Sequence, residues 1–168
     1  MHRLAGLTLA LPLAWALGCA SLGGRDPAAI AAAYAEAGRY PEAAREIEVA
    51  VRARPNEVDL RRQAASIQAR AGNVARAVGH LEVAIEEAPS DAHSWIQLGE
   101  LESSRENVTD AYVAYRRAAE LAPEDIRAIS GLALTADALG FDEEATVAYA
   151  RWAELEERQR GEARPRRD

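Results

Sequence analysis

The chain has 168 residues, 49% of them hydrophobic, which is enough for one domain or one short repeat array with a modest core. Aromatic residues make up only 5% while alanine is abundant, and alanine forms helices well and strands poorly, so the composition favours an all-α fold. All twenty basic residues are arginine and the net charge is −7. This acidic balance argues against broad nucleic-acid binding, which needs a basic surface.

Residues 1–18 have the pattern of an export signal. A short polar start that includes Arg3 precedes an apolar run from Leu4 to Leu17, which Pro12 interrupts. The run has the length of a signal-peptide core and is too short to cross a bilayer as a helix. We therefore predict that residues 1–18 direct export and are then removed.

Cys19, the only cysteine, follows this apolar run. Gly18-Cys19-Ala20 could serve ordinary signal peptidase. Alternatively, residues 16–19 (Ala-Leu-Gly-Cys) resemble the lipobox of bacterial lipoproteins, although the family more often has leucine in place of Ala16. That resemblance implies a diacylglycerol on the Cys19 thiol, with residues 19–26 as lipidated cysteine and short linker. A unique cysteine has no intramolecular disulfide partner, so the remaining readings are a free exported thiol or an intermolecular disulfide.

A period of 34 residues runs through the rest of the chain. Each unit is predicted to contain two helices: glycine in the left-handed conformation ends the first, and proline stops the second. The third unit has Glu106 in place of the glycine. The registers comprise Gly38, Gly72 and Gly140; Ala43, Ala77, Ala111 and Ala145; Ala50, Ala84 and Ala118; Ile47, Leu81, Tyr115 and Tyr149; and Pro55, Pro89 and Pro123.

These registers resemble the tetratricopeptide repeat. Repeat 3 matches the family motif best, whereas repeat 2 is polar at the eleventh position (Gln68) and repeat 4 has Trp152 where the family has alanine. The resemblance implies a right-handed superhelical α-solenoid over residues 27–160, with repeats at about 24–57, 58–91, 92–125 and 126–159. We expect residues 161–168 to form a basic disordered tail. The matching residues of repeat 3 are Trp95, Leu98, Gly99, Ala111, Tyr115, Ala118 and Pro123.

In this family the first helices line a concave groove that takes an extended peptide or a partner's helix. The family's lysine and asparagine clamp for a C-terminal carboxylate does not occur here, but Arg62, Arg70 and Arg127 could hold carboxylates in bidentate fashion. The alternative is an ordinary solvated helix face. The resemblance places the following residues at groove positions: Arg62, Gln63, Ser66, Arg70, His93, Ile96, Gln97, Glu100, Ser104, Arg127, Ser130 and Asp137.

Three single residues carry separate expectations. His80 is expected to be a partly exposed helix residue, and Asn107 to adopt the left-handed turn that glycine makes in other repeats. Trp152 either caps the last repeat, together with Leu155, or forms an exposed docking or dimer edge.

The sequence has no nucleophile elbow, no phosphate-binding glycine loop and no pair of histidines at the spacing of metal ligands. We therefore predict no enzyme, no metal and no cofactor beyond a covalent lipid on Cys19.

The sequence as a whole predicts an exported scaffold with a protein or peptide partner, no nucleic-acid or small-molecule ligand, and a lipid anchor in the membrane. Ala20, rather than aspartate, follows Cys19, which in proteobacteria favours the outer membrane, facing the periplasm, over the inner membrane or a soluble periplasmic form. A pilotin-like factor for the secretin of a type IV pilus or secretion system is an alternative. Another outer-membrane assembly factor, a regulator of cell-wall enzymes and an enzyme are the other classes.

Overall fold

The computed structural model describes residues 26–162, which form antiparallel helix pairs in chain order, one pair inside each predicted 34-residue repeat. No strand occurs within this range. The predicted all-α class is therefore correct. The eight helices are α1 (Pro27–Glu36), α2 (Tyr40–Ala53), α3 (Val58–Arg70), α4 (Val74–Glu87), α5 (Ala92–Ser104), α6 (Val108–Leu121), α7 (Ile126–Ala138) and α8 (Asp142–Glu162).

Aspartate caps the first helix of three repeats. The side chain of Asp26 accepts a hydrogen bond from the Ala28 amide at 3.1 Å, and Pro27 begins α1 without needing an N–H partner. Asp91 at α5 and Asp125 at α7 cap their helices in the same way. These contacts satisfy amide groups that have no partner inside the helix, which fixes where each pair begins.

The turn inside each repeat needs one residue in the left-handed region. Gly38, Gly72 and Gly140 have φ angles of 72°, 82° and 74°, and in the third repeat Glu106 has φ 63°. Asn107 has φ −82° and precedes α6, so the prediction that it adopts the left-handed conformation is wrong. The position that matches the glycines of the other repeats is Glu106, one residue earlier. The side-chain Nδ2 of Asn107 donates a hydrogen bond to Glu102 Oε2 at 2.7 Å.

The helices of the third and fourth repeats pack around one aromatic side chain. The ring of Tyr115 lies directly over Gly99 and Gly131, where an added Cβ would be less than 3.0 Å from ring carbons. Small residues at these two positions let the ring fill the space between α5 and α7. The largest buried cluster within residues 26–162 includes Tyr115, Ile96 and Leu132.

The C-terminal helix closes the array. Leu155 is buried in the same cluster, Trp152 packs against it, and the rings of Tyr149 and Trp152 stack with centroids 6.2 Å apart. Trp152 therefore lies as a cap over the last repeat. The helix continues through Glu162, and Arg158 donates to Glu124 at 2.8 Å, so the predicted disorder from residue 161 is wrong for the first two residues of that segment.

Two predictions fall outside the described range. The proposed signal segment, Cys19 and most of its linker lie before residue 26, and residues 163–168 lie after it. Of the helices that the structure describes, none combines the length and apolar composition required to cross a membrane.

Candidate protein-binding groove

The first helices of successive repeats lie side by side on one face. Helix α3 contacts α5, and α5 contacts α7, although neither pair is adjacent in sequence. Each first helix is connected to the first helix of the next repeat through a second helix. The first helices therefore line one continuous surface, which we call the groove. The groove is where the sequence places its candidate binding residues.

A pocket of about 270 Å³ opens in the groove between α3 and α5. Helix α3 contributes Ser66 and Arg70, and α5 contributes Gln97, Glu100 and Ser104. The floor is apolar and is formed by Ala65, Ala69, Leu81 and Leu101. The fold therefore brings these five predicted residues together around one small concave site.

The three candidate arginines differ in what already binds them. Arg62 pairs with Asp59 and Asp91. Arg127 pairs with Asp125, at 3.1 Å between Nη2 and Oδ2.

Arg70 is the exception. Its guanidinium donates to the Tyr40 hydroxyl at 3.0 Å and lies 5.6 Å from the centroid of that ring. Within residues 26–162 it has no carboxylate within 4 Å. Arg70 is thus the one of the three candidates with its charge available to a partner.

Glu100 lies where the pocket meets α7. Burial raises its pKa above the usual value, an effect that Arg127 opposes and Asp125 reinforces. The neighbouring phenol of Tyr115 also has a raised pKa, chiefly because of burial. Tyr115 is 7% exposed whereas Glu100 is an exposed residue, so only the Tyr115 side of this end of the pocket is shielded from water.

Gln97 has an unused acceptor. Its Oε1 atom is buried and has no hydrogen-bond partner among the described residues. A buried acceptor without a partner costs about 1–3 kcal/mol. A donor supplied by a bound segment, after a small rotation of the carboxamide, would recover part of that cost.

The other candidates lie outside the pocket. Gln63 and His93 are exposed, and His93 Nδ1 is 3.8 Å from Asp91. Ser130 donates to the Arg127 carbonyl at 3.4 Å, and Asp137 accepts from the Tyr149 hydroxyl at 3.3 Å.

Ile96 is a correction, because it is 0% exposed and cannot reach a partner. Three residues before Gly99, it shares the face of α5 that packs into the cluster around Tyr115.

The outer side of the first two repeats contains a polar network that the sequence analysis did not predict. His80 is only 6% exposed, so the expectation that it is partly exposed is wrong. Its Nε2 donates to Glu48 Oε1 at 3.0 Å, and Arg61 Nη1 donates to His80 Nδ1 at 3.3 Å. Gln68 Nε2 also donates to Glu48 Oε1 at 2.6 Å, and Gln68 Oε1 accepts from Asn73 Nδ2 at 2.8 Å. The one indication of this network in the sequence is Gln68, a polar residue at a motif position that is usually apolar.

Metal binding has no support in the described part of the chain. No group of three or more histidine, cysteine, aspartate or glutamate side chains between residues 26 and 162 is placed to hold an ion.

Stacked antiparallel helix pairs with a 34-residue period define a tetratricopeptide-type α-solenoid, and known structures confirm this fold. A crystal structure of MamA superposes with a TM-score of 0.74 at 20% identity, over 80% of this chain and 79% of that one. A MamA fragment from Desulfovibrio magneticus RS-1 gives 0.66 at 20% identity, over 82% and 76%. The first such repeat domain of Spaghetti (RPAP3), bound to the HSP90 peptide SRMEEVD, gives 0.63 at 23% identity, over 68% and 90%. No family model and no curated protein matches the sequence.

Proposed function

We propose that the chain is an interaction scaffold, without catalytic activity, that holds an extended segment of a protein partner in the groove. The observation that carries this proposal is the pocket between α3 and α5, where Ser66, Arg70, Gln97, Glu100 and Ser104 meet over an apolar floor. Pockets with an apolar floor and a few convergent polar groups are typical of ligand sites.

The chemistry of the groove suggests what kind of segment it holds. Arg70 offers a guanidinium that is bonded to the Tyr40 hydroxyl but not paired with a carboxylate, and Gln97 offers an acceptor for a backbone N–H. The peptide bound to the structurally similar RPAP3 domain, SRMEEVD, contains three acidic residues. By analogy, we propose that the partner segment is extended and carries at least one acidic side chain or a C-terminal carboxylate beside Arg70.

We also propose that the scaffold is exported and anchored through a lipid on Cys19, in the outer membrane and facing the periplasm. The support is the lipobox-like stretch that ends at this unique cysteine. Residues 20–26 would then reach at most about 25 Å when extended, which keeps the first repeat close to the bilayer. Incorporation of labelled palmitate tests this anchor: label that disappears in Cys19→Ser supports it, and label that persists contradicts it.

Site-specific photocrosslinking in cells tests the binding face. The crosslinker replaces Ser66 on α3 or Ser104 on α5, which are both exposed pocket residues. Val147 on α8 is the control because it is 71% exposed and lies outside the pocket. We expect both groove positions to trap the same protein and Val147 to trap none of it. A partner trapped at Val147 but at neither groove position would refute the proposal.

A further inference from the structure

A second and larger concavity lies between α2 and α4, with α3 beneath it. Its volume is about 870 Å³, and it shares no lining residue with the groove pocket. Four arginines line it: Arg45 and Arg52 from α2, Arg61 from α3 and Arg76 from α4. We call this concavity the arginine cleft.

The arginines of the cleft form no close ion pair with the described side chains, although Glu42 interacts with Arg45 at longer range. Within residues 26–162, none of the four guanidinium groups lies within 4 Å of a carboxylate oxygen. The one acid that lines the cleft is Glu48, whose Oε1 already accepts from Gln68 and His80. The cleft therefore carries excess positive charge on a chain whose net charge is −7.

A hydrogen-bond network holds the floor of the cleft in place. Arg61 Nε donates to the Pro55 carbonyl at 2.7 Å, and its Nη1 donates to His80 Nδ1 at 3.3 Å. Since arginine can only donate, His80 Nδ1 is the acceptor and Nε2 carries the proton that goes to Glu48. His80 is 6% exposed and Gln68 is 0% exposed, so this network holds Arg61 in place from below.

The repeat register provides an internal comparison. One period later, a cleft of about 300 Å³ lies between α4 and α6, where Trp95 replaces Arg61 and Asp110 replaces Arg76. Trp95 Nε1 even donates to the Pro89 carbonyl at 3.0 Å, just as Arg61 donates to Pro55. The positions 34 residues after Arg45 and Arg52 are Gly79 and Glu86. The basic cluster is thus a local feature and not a property of the repeat.

The lining chemistry favours a compact, highly charged ligand. The apolar groups of the cleft are small, namely Pro41, Ala44, Ala71 and Gly79, and they offer no pocket for a large side-chain anchor. Peptide partners usually need such anchors, whereas phosphate oxygens match guanidinium groups directly. We propose that the arginine cleft binds a phosphate-bearing anion, either a soluble phosphate compound or a phospholipid headgroup. This proposal is independent of the groove.

Binding measurements on the full 168-residue chain test the proposal. The soluble probe is inorganic diphosphate, followed by titration calorimetry. The membrane probe is cosedimentation with vesicles of phosphatidylglycerol and phosphatidylcholine, compared with phosphatidylcholine alone, which accounts for insertion of the apolar N-terminal segment. Binding of diphosphate identifies a soluble phosphate ligand, and preference for the anionic vesicles alone identifies a headgroup; either supports the site.

The decisive variant is Arg52→Glu with Arg76→Asp, which introduces the residues that stand one period later. Both arginines are exposed, so the fold should survive, and circular dichroism checks this. The matched control is Arg117→Glu with Arg160→Asp, an equal charge change at exposed positions outside the cleft. Because charge-assisted bonds are lost only in the first variant, we expect its affinity to fall by about tenfold or more, and the control's by less than about twofold.

Three results would overturn the proposal. They are failure of the wild-type chain to bind either probe, an equal loss of binding in the cleft variant and the control, and binding of hexaglutamate without binding of diphosphate or anionic vesicles. Arg45→Ala provides a second test with a smaller change in charge. It should weaken binding by about threefold or more, and an unchanged affinity would count against the site.

Discussion

The junction between repeats 1 and 2 and the junction between repeats 3 and 4 are built from the same helix pairs but held by different chemistry. In the first, the buried amide of Gln68 joins Glu48 and Asn73 in a hydrogen-bonded network. In the second, the ring of Tyr115 fills the space beside Gly99 and Gly131. The comparison shows that the repeat fixes where the helices lie and leaves open how the space between them is filled.

One motif position makes this difference visible. The residues at the eleventh position of repeats 2, 3 and 4 are Gln68, Glu102 and Ala136, and all three are buried. The Glu102 carboxylate accepts hydrogen bonds from Arg105 at 2.8 Å and from the Asn107 side chain at 2.7 Å. Each polar choice is stable only because its hydrogen-bonding partners are present, in agreement with the high cost of unpaired buried groups.

Tyr115→Ala should produce the largest loss of stability. The side chain is 7% exposed and contacts both glycine positions, so truncation removes contacts and leaves a cavity. We expect a loss of about 3–5 kcal/mol in the free energy of unfolding. Urea unfolding followed by circular dichroism measures it. A loss below about 1 kcal/mol would mean that the ring does not hold the second junction together.

Gly131→Ala tests the same contact from the opposite side. The new Cβ would crowd the Tyr115 ring, and overpacking usually costs about 1–3 kcal/mol despite the better helix propensity of alanine. Adding Tyr115→Leu, the residue that Leu81 supplies in repeat 2, should make Gly131→Ala tolerable. A double-mutant cycle measures this coupling. Strict additivity of the two changes would show that the ring and the glycine do not depend on each other.

Gln68→Ala breaks the polar junction. Alanine stands at the matching position of repeat 4, but here it would leave the Asn73 side-chain amide without its acceptor and remove one of the two donors to Glu48, the other being His80. We expect a loss of about 2 kcal/mol by the same urea measurement. Ala136→Ser on α7, a small change at the matching position where no such network exists, serves as the control for the site. If Gln68→Ala cost nothing, the network would be incidental to stability.

Asp91→Asn should give the smallest effect, and one that depends on pH. Burial alone would raise the pKa of Asp91, but hydrogen bonds from Ser94 together with the charge of Arg62 outweigh it, so the pKa is lowered overall. The ionised form is therefore favoured in the folded state, and its stabilisation is present above the unfolded-state pKa and lost as pH falls through the folded one.

We expect Asp91→Asn to cost less than about 1 kcal/mol at neutral pH, since asparagine also caps helices. The difference from the wild type should vanish on acidification. Urea unfolding at neutral and acid pH measures both quantities. A difference that grew on acidification would contradict the sign of the shift.

Much of the fold follows from the sequence because the repeat signal is redundant. Glycine at the turn, proline after the second helix and alanine at the close contacts all occur at the same 34-residue spacing. Residues that recur at this spacing indicate where the helices turn, end and pack closely, and the observed helix pairs agree with these positions. The start of α1 also follows from local sequence, because an aspartate N-cap (Asp26) followed by a proline in the first turn (Pro27) depends on adjacent residues alone.

The site was less predictable because it depends on contacts between distant residues. The pairing of Arg62 with Asp91 and the freedom of Arg70 are side-chain contacts that a helix position does not determine. Ile96 looked like a groove residue because it lies on a first helix, but one turn of that helix presents both a groove face and a core face. The arginine cleft combines three helices, so no single sequence window contains it.

The central claim is that the groove, and not the outer face, holds the protein partner. The most direct test measures the affinity of the full chain for the protein trapped by crosslinking, using Arg70→Glu in the groove and Arg76→Asp in the arginine cleft as variants with equal charge changes. We predict that Arg70→Glu weakens this binding by about tenfold or more and that Arg76→Asp changes it by less than about twofold. The opposite ranking would contradict the claim and move the partner to the outer face.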